Sequence, residues 1–138
     1  MEWTHSVPID APPDVVWGLV ADVESWPRYI STVRSVTRLD EGPLRVGSSA
    51  RIQQPGQPPA VWTVERLDPG REFSWSTARR GLRMTGTHRV VPDGPGCRNE
   101  IGLAGSGPLA VLLVPLARYV LRTENAGFRA AARRRVAA

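Results

Sequence analysis

The sequence predicts an α+β fold: a curved antiparallel sheet of about seven strands wrapped around a long C-terminal helix, with two short helices after the first strand. Three observations predict it. The opening residues alternate apolar and polar with the period of a strand. From Val33 to Ala104, strand-length runs are separated by clusters of Gly, Pro and Asp. The remainder carries an apolar arc at helical spacing.

The composition bounds what such a fold can be. A chain of 138 residues has the size of one domain, here taken as 1–138, and buries roughly 68–70% of its unfolded surface, enough for one core. No apolar run approaches the roughly 18–20 residues that cross a bilayer, so a soluble chain without stable membrane insertion is expected. Met1-Glu2-Trp3-Thr4-His5 lacks the basic flank and apolar stretch of a secretory signal, which predicts a cytoplasmic location. Cys97, the single cysteine, can form no internal disulfide and stands in no metal-ligand spacing, so neither a metal nor another cofactor is expected. The net charge of +5 comes from arginine alone, because the chain contains no lysine; lysine Schiff-base chemistry is thereby excluded. Arginine in place of lysine, with abundant Ala, Gly and Pro, is what a GC-rich genome produces. Apart from Arg79-Arg80 and Arg133-Arg134-Arg135 the arginines are dispersed, with no aromatic-interleaved basic stripe, so nucleic acid is not an expected partner.

The elements follow in order. Trp3, His5, Val7 and Ile9 alternate with Glu2, Thr4, Ser6 and Pro8, the pattern of a half-buried first strand. Asp10 is placed to cap a helix, Pro12 and Pro13 suit its first turn, and Val15, Val16, Leu19 and Val20 give it an apolar face ending near Ala21. Asp22 or Ser25 can cap a second short helix through Trp26, Pro27, Arg28 and Tyr29. Strands are then expected over 33–39, 47–53, 60–67, 71–77, 82–91 and 98–104, with Asp40-Glu41-Gly42-Pro43, Gln54-Pro55-Gly56, Asp68-Pro69-Gly70 and Pro92-Asp93-Gly94-Pro95-Gly96 at the joints. Joints this short imply antiparallel neighbours. After Gly105, Ser106 can cap and Pro108 open a helix with Leu109, Leu112, Leu113, Leu116, Val120, Gly127 and Ala131 on one face. Arg118, Arg122, Arg129 and Arg133 cluster opposite. Pro115 either kinks this helix or marks its true start.

The element order and two motif regions carry a resemblance. Ile9-Asp10-Ala11-Pro12-Pro13-Asp14-Val15-Val16-Trp17 and Ala21-Asp22-Val23-Glu24-Ser25-Trp26-Pro27-Arg28-Tyr29 resemble the opening of the polyketide cyclase/dehydrase branch of the START-related (SRPBCC) superfamily. Trp62-Thr63-Val64-Glu65, Asp68-Pro69-Gly70 and Phe73-Ser74-Trp75 are similar to its mid-sheet pattern. The resemblance covers nearly the whole chain and implies a helix-grip fold with a cavity between sheet and helix, used by different members for lipids, hormones, polyketides or partner proteins. The motif residues themselves have structural tasks, so the fold does not choose among those uses.

Alternation along the strands proposes which side chains look into that cavity. Leu82, Met84, Gly86, His88 and Val90 oppose Arg83, Thr85, Thr87 and Arg89, so the first set is expected inward. Phe73, Trp75 and Thr77 follow, as do Ile101 and Leu103 with Asn99 and His5; on the strand from Ala60, Trp62 and Val64 compete with Val61 and Thr63. Glu124 falls within the helical apolar arc, where an isolated carboxylate is costly unless Arg28 at the mouth or His88 across the cavity meets it. The expected ligand-binding set is therefore Phe73, Trp75, Met84, His88, Ile101, Leu103, Leu116, Val120 and Glu124. His88 and Glu124 are the catalytic candidates, an acid–base pair able to enolise or dehydrate a β-keto substrate. In the plainer alternative Glu124 lies in water and His88 is a hydrogen-bonded core residue.

Three functions fit. The first is a non-catalytic binder or carrier of a small hydrophobic, lipid- or polyketide-like molecule, acting as a monomer or homodimer. The second is an aromatase/cyclase or dehydratase that uses polar cavity residues. The chain has no nucleophile elbow, no histidine pair at metal spacing and no glycine-rich phosphate loop, so catalysis would rest on those residues alone. The third is a protein-interaction module using the groove or an exposed sheet edge.

Overall fold

A computed structural model describes residues 1–138. Strand β1 (Glu2–Ile9) leads into α1 (Pro13–Ala21) and a 3-10 helix (Val23–Arg28). Strands β2 (Ser35–Arg38), β3 (Ser49–Gln53), β4 (Ala60–Asp68), β5 (Glu72–Arg79), β6 (Leu82–Asp93) and β7 (Gly96–Ser106) follow, then a 3-10 turn (Ala110–Leu113) and α2 (Val114–Ala137). All seven strands join one antiparallel sheet in the order β1-β7-β6-β5-β4-β3-β2. Each strand from β2 to β6 thus pairs with the strand that follows it in the chain. Only β1 returns from the far side, pairing with β7 from Glu2↔Ala104 to Ile9↔Cys97. Every strand boundary falls within two residues of its position predicted from turn chemistry. No helix is long and apolar enough to cross a membrane.

One face of the sheet carries the core. Trp62 and Val64 are buried while Val61 is exposed, which settles the direction of β4. Its alternation is then interrupted, because the pairing with β5 shifts between Val64 and Arg66. Glu65 and Arg66 both stay exposed across this bulge, and Leu67 returns to the inner face opposite Phe73. On the outer face Glu65 accepts hydrogen bonds from Ser76 and from Arg83, the latter at 2.7 Å.

Helix α2 lies against β1, β7 and α1. Its buried positions are Ala117, Leu121, Glu124, Asn125, Phe128, Ala131 and Ala132. Phe128 is completely buried and meets Trp26 edge-on at 5.7 Å between ring centroids, while Trp26 meets Trp75 at 5.4 Å. Gly127 allows this close docking, because a Cβ there would lie 2.0 Å from the Tyr29 carbonyl oxygen. The Tyr29 hydroxyl in turn donates to the Leu19 carbonyl at 2.6 Å, fastening α1 to the same corner.

Three local expectations are corrected. Asp10 does not cap α1: Pro12 occupies the N-cap position, and no side chain bonds the free N–H groups there. The terminal helix does not open at Pro108 but at Val114, with Pro115 in its first turn and no cap from Ser106. Pro115 lacks an N–H and its ring clashes with the carbonyl four residues earlier, so the α-helix cannot extend backward through it. Residues before it fold as a separate 3-10 turn, and Leu109 and Leu112 are consequently exposed rather than part of the helical face. The buried stripe is also rotated by one residue, from Leu116 and Val120 toward Ala117 and Leu121. Opposite it, Arg118, Arg122 and Arg133 are exposed, whereas Arg129 is half-buried.

Candidate functional site

Between α2 and the sheet lies a pocket of about 70 Å³. Trp62, Trp75, Met84, His88, Ile101 and Leu103 bound it on the sheet side, and Trp26 and Val33 close one flank. Leu113, Leu116, Ala117, Val120, Leu121 and Glu124 form its helical wall, with Gln54 and Gln57 of the β3–β4 loop at the rim. The sequence positions these groups through strand pairing. Phe73 faces His88, Trp75 faces Gly86 and Thr77 faces Met84, so one inward row of β5 lies beside one of β6. Gly86 adds no side chain to this row, and a Cβ there would stand in van der Waals contact with the Trp75 indole at 3.4 Å.

Of the nine residues expected to bind a ligand, eight line this pocket: Trp75, Met84, His88, Ile101, Leu103, Leu116, Val120 and Glu124. Phe73 does not. It is completely buried behind the pocket, stacked on the His88 ring at 4.9 Å and 14° between planes. Sequence reasoning missed Trp26, Val33, Ile52, Ala117 and Leu121 as lining residues. Ala117 and Leu121 follow directly once the helix is counted from Pro115. Trp26 stands among motif residues that have structural tasks, and the alternation on the strand from Ala60 leaves Trp62 unoriented.

Two ionisable groups look into this apolar space, and neither has a charged partner. Burial alone pushes the Glu124 carboxyl up to about 8, with no arginine and no hydrogen bond opposing it. Arg28, expected at the mouth, is exposed on the 3-10 helix and takes no part in the lining. Burial pulls the His88 imidazolium down to about 3, and its Nδ1 is buried without a hydrogen-bond partner. Packing surrounds the ring: Trp26 lies 5.0 Å away and Phe128 6.1 Å away. At neutral pH both groups are therefore uncharged. The carboxylic acid is a proton donor of useful strength near pH 7, whereas the imidazole is a weak base. The two make no hydrogen bond to each other, so their roles are separate.

A second polar cluster fixes the helix behind the pocket. Asn99 Nδ2 donates to Asn125 Oδ1 at 2.9 Å. Asn125 Nδ2 lies 2.7 Å from His5 Nδ1 and donates to the His5 carbonyl at 3.0 Å. Asn99 and Asn125 are completely buried, so the inward positions expected for His5 and Asn99 serve to pin α2 to β1 and β7. Asn125 supplies the helical half of the clasp and was not anticipated. It sits beside Glu124, next to the helical apolar arc.

The family profile described as polyketide cyclase / dehydrase and lipid transport matches residues 2–137. A protein of Streptomyces halstedii assigned as a polyketide cyclase is 33% identical over 93 residues, covering 66% of this chain and 74% of that protein. The crystal structure of the Zhui aromatase/cyclase from Streptomyces sp. R1128 superposes with a TM-score of 0.83 at 19% identity, covering 99% of this chain and 95% of the other. A START superfamily protein from Mycobacterium smegmatis gives a TM-score of 0.73 at 16% identity, over 93% and 96% of the two chains. Likeness at these structural identities speaks for the helix-grip architecture, and the profile match over almost the whole chain speaks for descent. The chain belongs to the polyketide cyclase/dehydrase and lipid transport family.

Proposed function

We propose that the chain binds a small hydrophobic molecule between the sheet and α2, held by apolar contacts and oriented by one hydrogen bond from the neutral Glu124 acid. One observation carries this reading: a pocket walled by tryptophans and aliphatic side chains contains a buried carboxyl that no protein group satisfies. Burying such a group without a partner costs free energy, and a ligand carbonyl or hydroxyl would remove that cost. The space of about 70 Å³ is far below the roughly 300–1,000 Å³ of typical ligand pockets. Binding therefore requires the outer wall to yield. Leu116 is 37% exposed and Val120 half-buried, so displacing them breaks few core contacts. A ten-carbon ligand gains about 8 kcal/mol gross at about 0.8 kcal/mol per CH₂, which after association costs leaves micromolar or weaker affinity.

A titration with the neutral probe N-phenyl-1-naphthylamine tests this reading. Saturable blue-shifted emission is expected, accompanied by quenching of the wall tryptophans Trp26, Trp62 and Trp75. Val120→Trp, which fills the outer wall, should abolish both signals. Absence of saturable binding by the unaltered protein, with no small molecule in native mass spectra of gently purified material, would refute it.

The Streptomyces likenesses and the Glu124 position favour a second reading, catalysis of cyclisation or dehydration of a polyketone-like substrate. Glu124 would then give its proton to a carbonyl oxygen as the enol carbon of the substrate attacks that carbonyl. The carboxylate left behind would take the enol O–H proton, so that one C–C bond forms and the acid is restored. His88, a poor base, would contribute only a hydrogen bond. Glu124→Gln separates the readings: turnover lost with affinity retained indicates catalysis, whereas unchanged handling of a cyclisable substrate limits the chain to binding.

A further inference from the structure

The outer wall of the pocket continues into a surface that water should not favour. Leu109, Val111, Leu112, Val114, Leu116 and Tyr119 are all exposed, Leu112 at 69% and Tyr119 at 60%. Single exposed apolar residues are ordinary, but six along one turn and one helix start form a patch. The chain holds this patch in shape. Pro115 fixes the start of α2, and the Leu109 N–H donates to the Gly81 carbonyl at 3.0 Å. Gly107, at φ +96°, approaches the same carbonyl so closely that a Cβ would lie 2.5 Å from its oxygen. The ridge is thereby fastened to the β5–β6 turn, which carries exposed Arg80 beside it.

The ridge and the β5–β6 turn beside it carry arginine and no carboxylate, while exposed Glu2 stands opposite Ala104 at the start of β1. No acidic residue occurs between Glu100 and Glu124, nor between Glu72 and Asp93. Arg118 and Arg122 are exposed on the first turns of α2. Glu124 is buried in the pocket, and Glu65 is engaged by Arg83 on the outer face of the sheet.

We propose that this ridge docks on an anionic lipid bilayer, its apolar side chains entering the headgroup–acyl boundary while Arg80, Arg118 and Arg122 meet lipid phosphates. Apart from Leu116, which also walls the pocket, none of these side chains belongs to the pocket lining, and exposed Leu and Val flanked by Tyr and Arg are the composition of an interfacial anchor. Docking in this orientation sets Leu113, Leu116 and Val120 of the pocket wall against hydrocarbon, so an apolar guest could pass without crossing water. The docking itself does not depend on what the pocket holds.

Co-sedimentation with vesicles tests it, comparing phosphatidylcholine alone with equal parts of phosphatidylcholine and phosphatidylglycerol. Binding to the mixed vesicles should exceed binding to phosphatidylcholine and weaken as salt is added. Leu112→Asp should reduce it at least about tenfold, and Arg118→Gln or Arg122→Gln about fivefold each on anionic vesicles only. Tyr119→Ser is a second apolar variant at an exposed position and should also weaken binding. Failure to sediment with mixed vesicles, or binding indifferent to Leu112→Asp and Tyr119→Ser, would overturn the proposal. So would self-association abolished by Leu112→Asp in the absence of vesicle binding, which would identify a second copy as the occupant.

Discussion

The two halves of α2 face the same sheet and do opposite things. Toward the C-terminus, Gly127, Ala131 and Ala132 are small enough for the helix to settle onto its neighbours, and Phe128 fills the remaining space completely. Toward the N-terminus Ala117 and Leu121 continue the buried stripe, but the larger Leu116 and Val120 stand on the side of the helix that Gly127 and Ala131 occupy eleven positions on, and neither is fully buried. Side-chain size sets the separation: small residues permit contact between backbones, whereas large ones hold the helix off or turn outward. One helix thus anchors the fold at one end and walls a pocket at the other.

The largest test of that contrast compares truncations along the helix. Phe128→Ala should cost about 3–5 kcal/mol, because a fully buried ring with aromatic neighbours leaves a cavity that cannot collapse. Leu116→Ala should cost less than about 1 kcal/mol, since its side chain is already partly in water. Urea unfolding of both variants measures the difference; comparable losses would show that the pocket end is packed as firmly as the other. Gly127→Ala belongs with Phe128→Ala, because its new methyl group has to displace the Tyr29 backbone.

A smaller effect is expected at the boundary between the halves, where the Asn99–Asn125–His5 clasp sits. Asn125→Ala leaves the buried Asn99 amide without a partner and strips the His5 ring and carbonyl of their link to the helix, for an expected loss of about 2–3 kcal/mol. Replacing both asparagines by leucine should recover part of that loss, since fewer polar groups remain stranded. If the double variant is instead as unstable as the two single losses added together, the clasp contributes by shape rather than by hydrogen bonding.

The same division explains what was legible in the sequence. Strand order and strand ends were readable because Asp68-Pro69-Gly70 and similar clusters act locally, whatever lies above the sheet. The pocket face of β5 and β6 was readable because Trp75, Met84 and His88 alternate strictly with polar or exposed neighbours. Legibility failed where one local signal had two physical outcomes. Pro115 could kink a helix or start one, and taking Pro108 as the start carried Leu109 and Leu112 onto a face they do not share. Trp62 could not be oriented while Val61 and Thr63 offered an equally apolar alternation. Asn125 was invisible because its role depends on Asn99 and His5, both distant in sequence and brought together only by the pairing of β1 with β7.

The least drastic test concerns pH and sharpens the contrast from within the pocket. Below its ordinary 4.5, Glu124 is protonated in folded and unfolded chains alike and adds no pH dependence. From 4.5 to about 8 the unfolded chain releases the proton while the folded chain keeps it, so stability falls with rising pH by about 1.4 kcal/mol per unit. His88 acts in the opposite sense: from its ordinary 6.5 down to about 3, the unfolded chain takes up a proton that the buried ring refuses, so stability falls with falling pH. Between 4.5 and 6.5 the two slopes cancel, and the pair places greatest stability in that window. Above it, from pH 6.5 to 8, a loss of about 2 kcal/mol should appear in urea unfolding and vanish in Glu124→Gln. An alkaline loss that persists in Glu124→Gln would mean the carboxyl ionises without hindrance, as it would if the pocket end admitted water freely. A ligand that accepts the Glu124 hydrogen bond should extend the same limb to higher pH at an unchanged slope, because the bound acid keeps its proton longer while one proton still separates the two states.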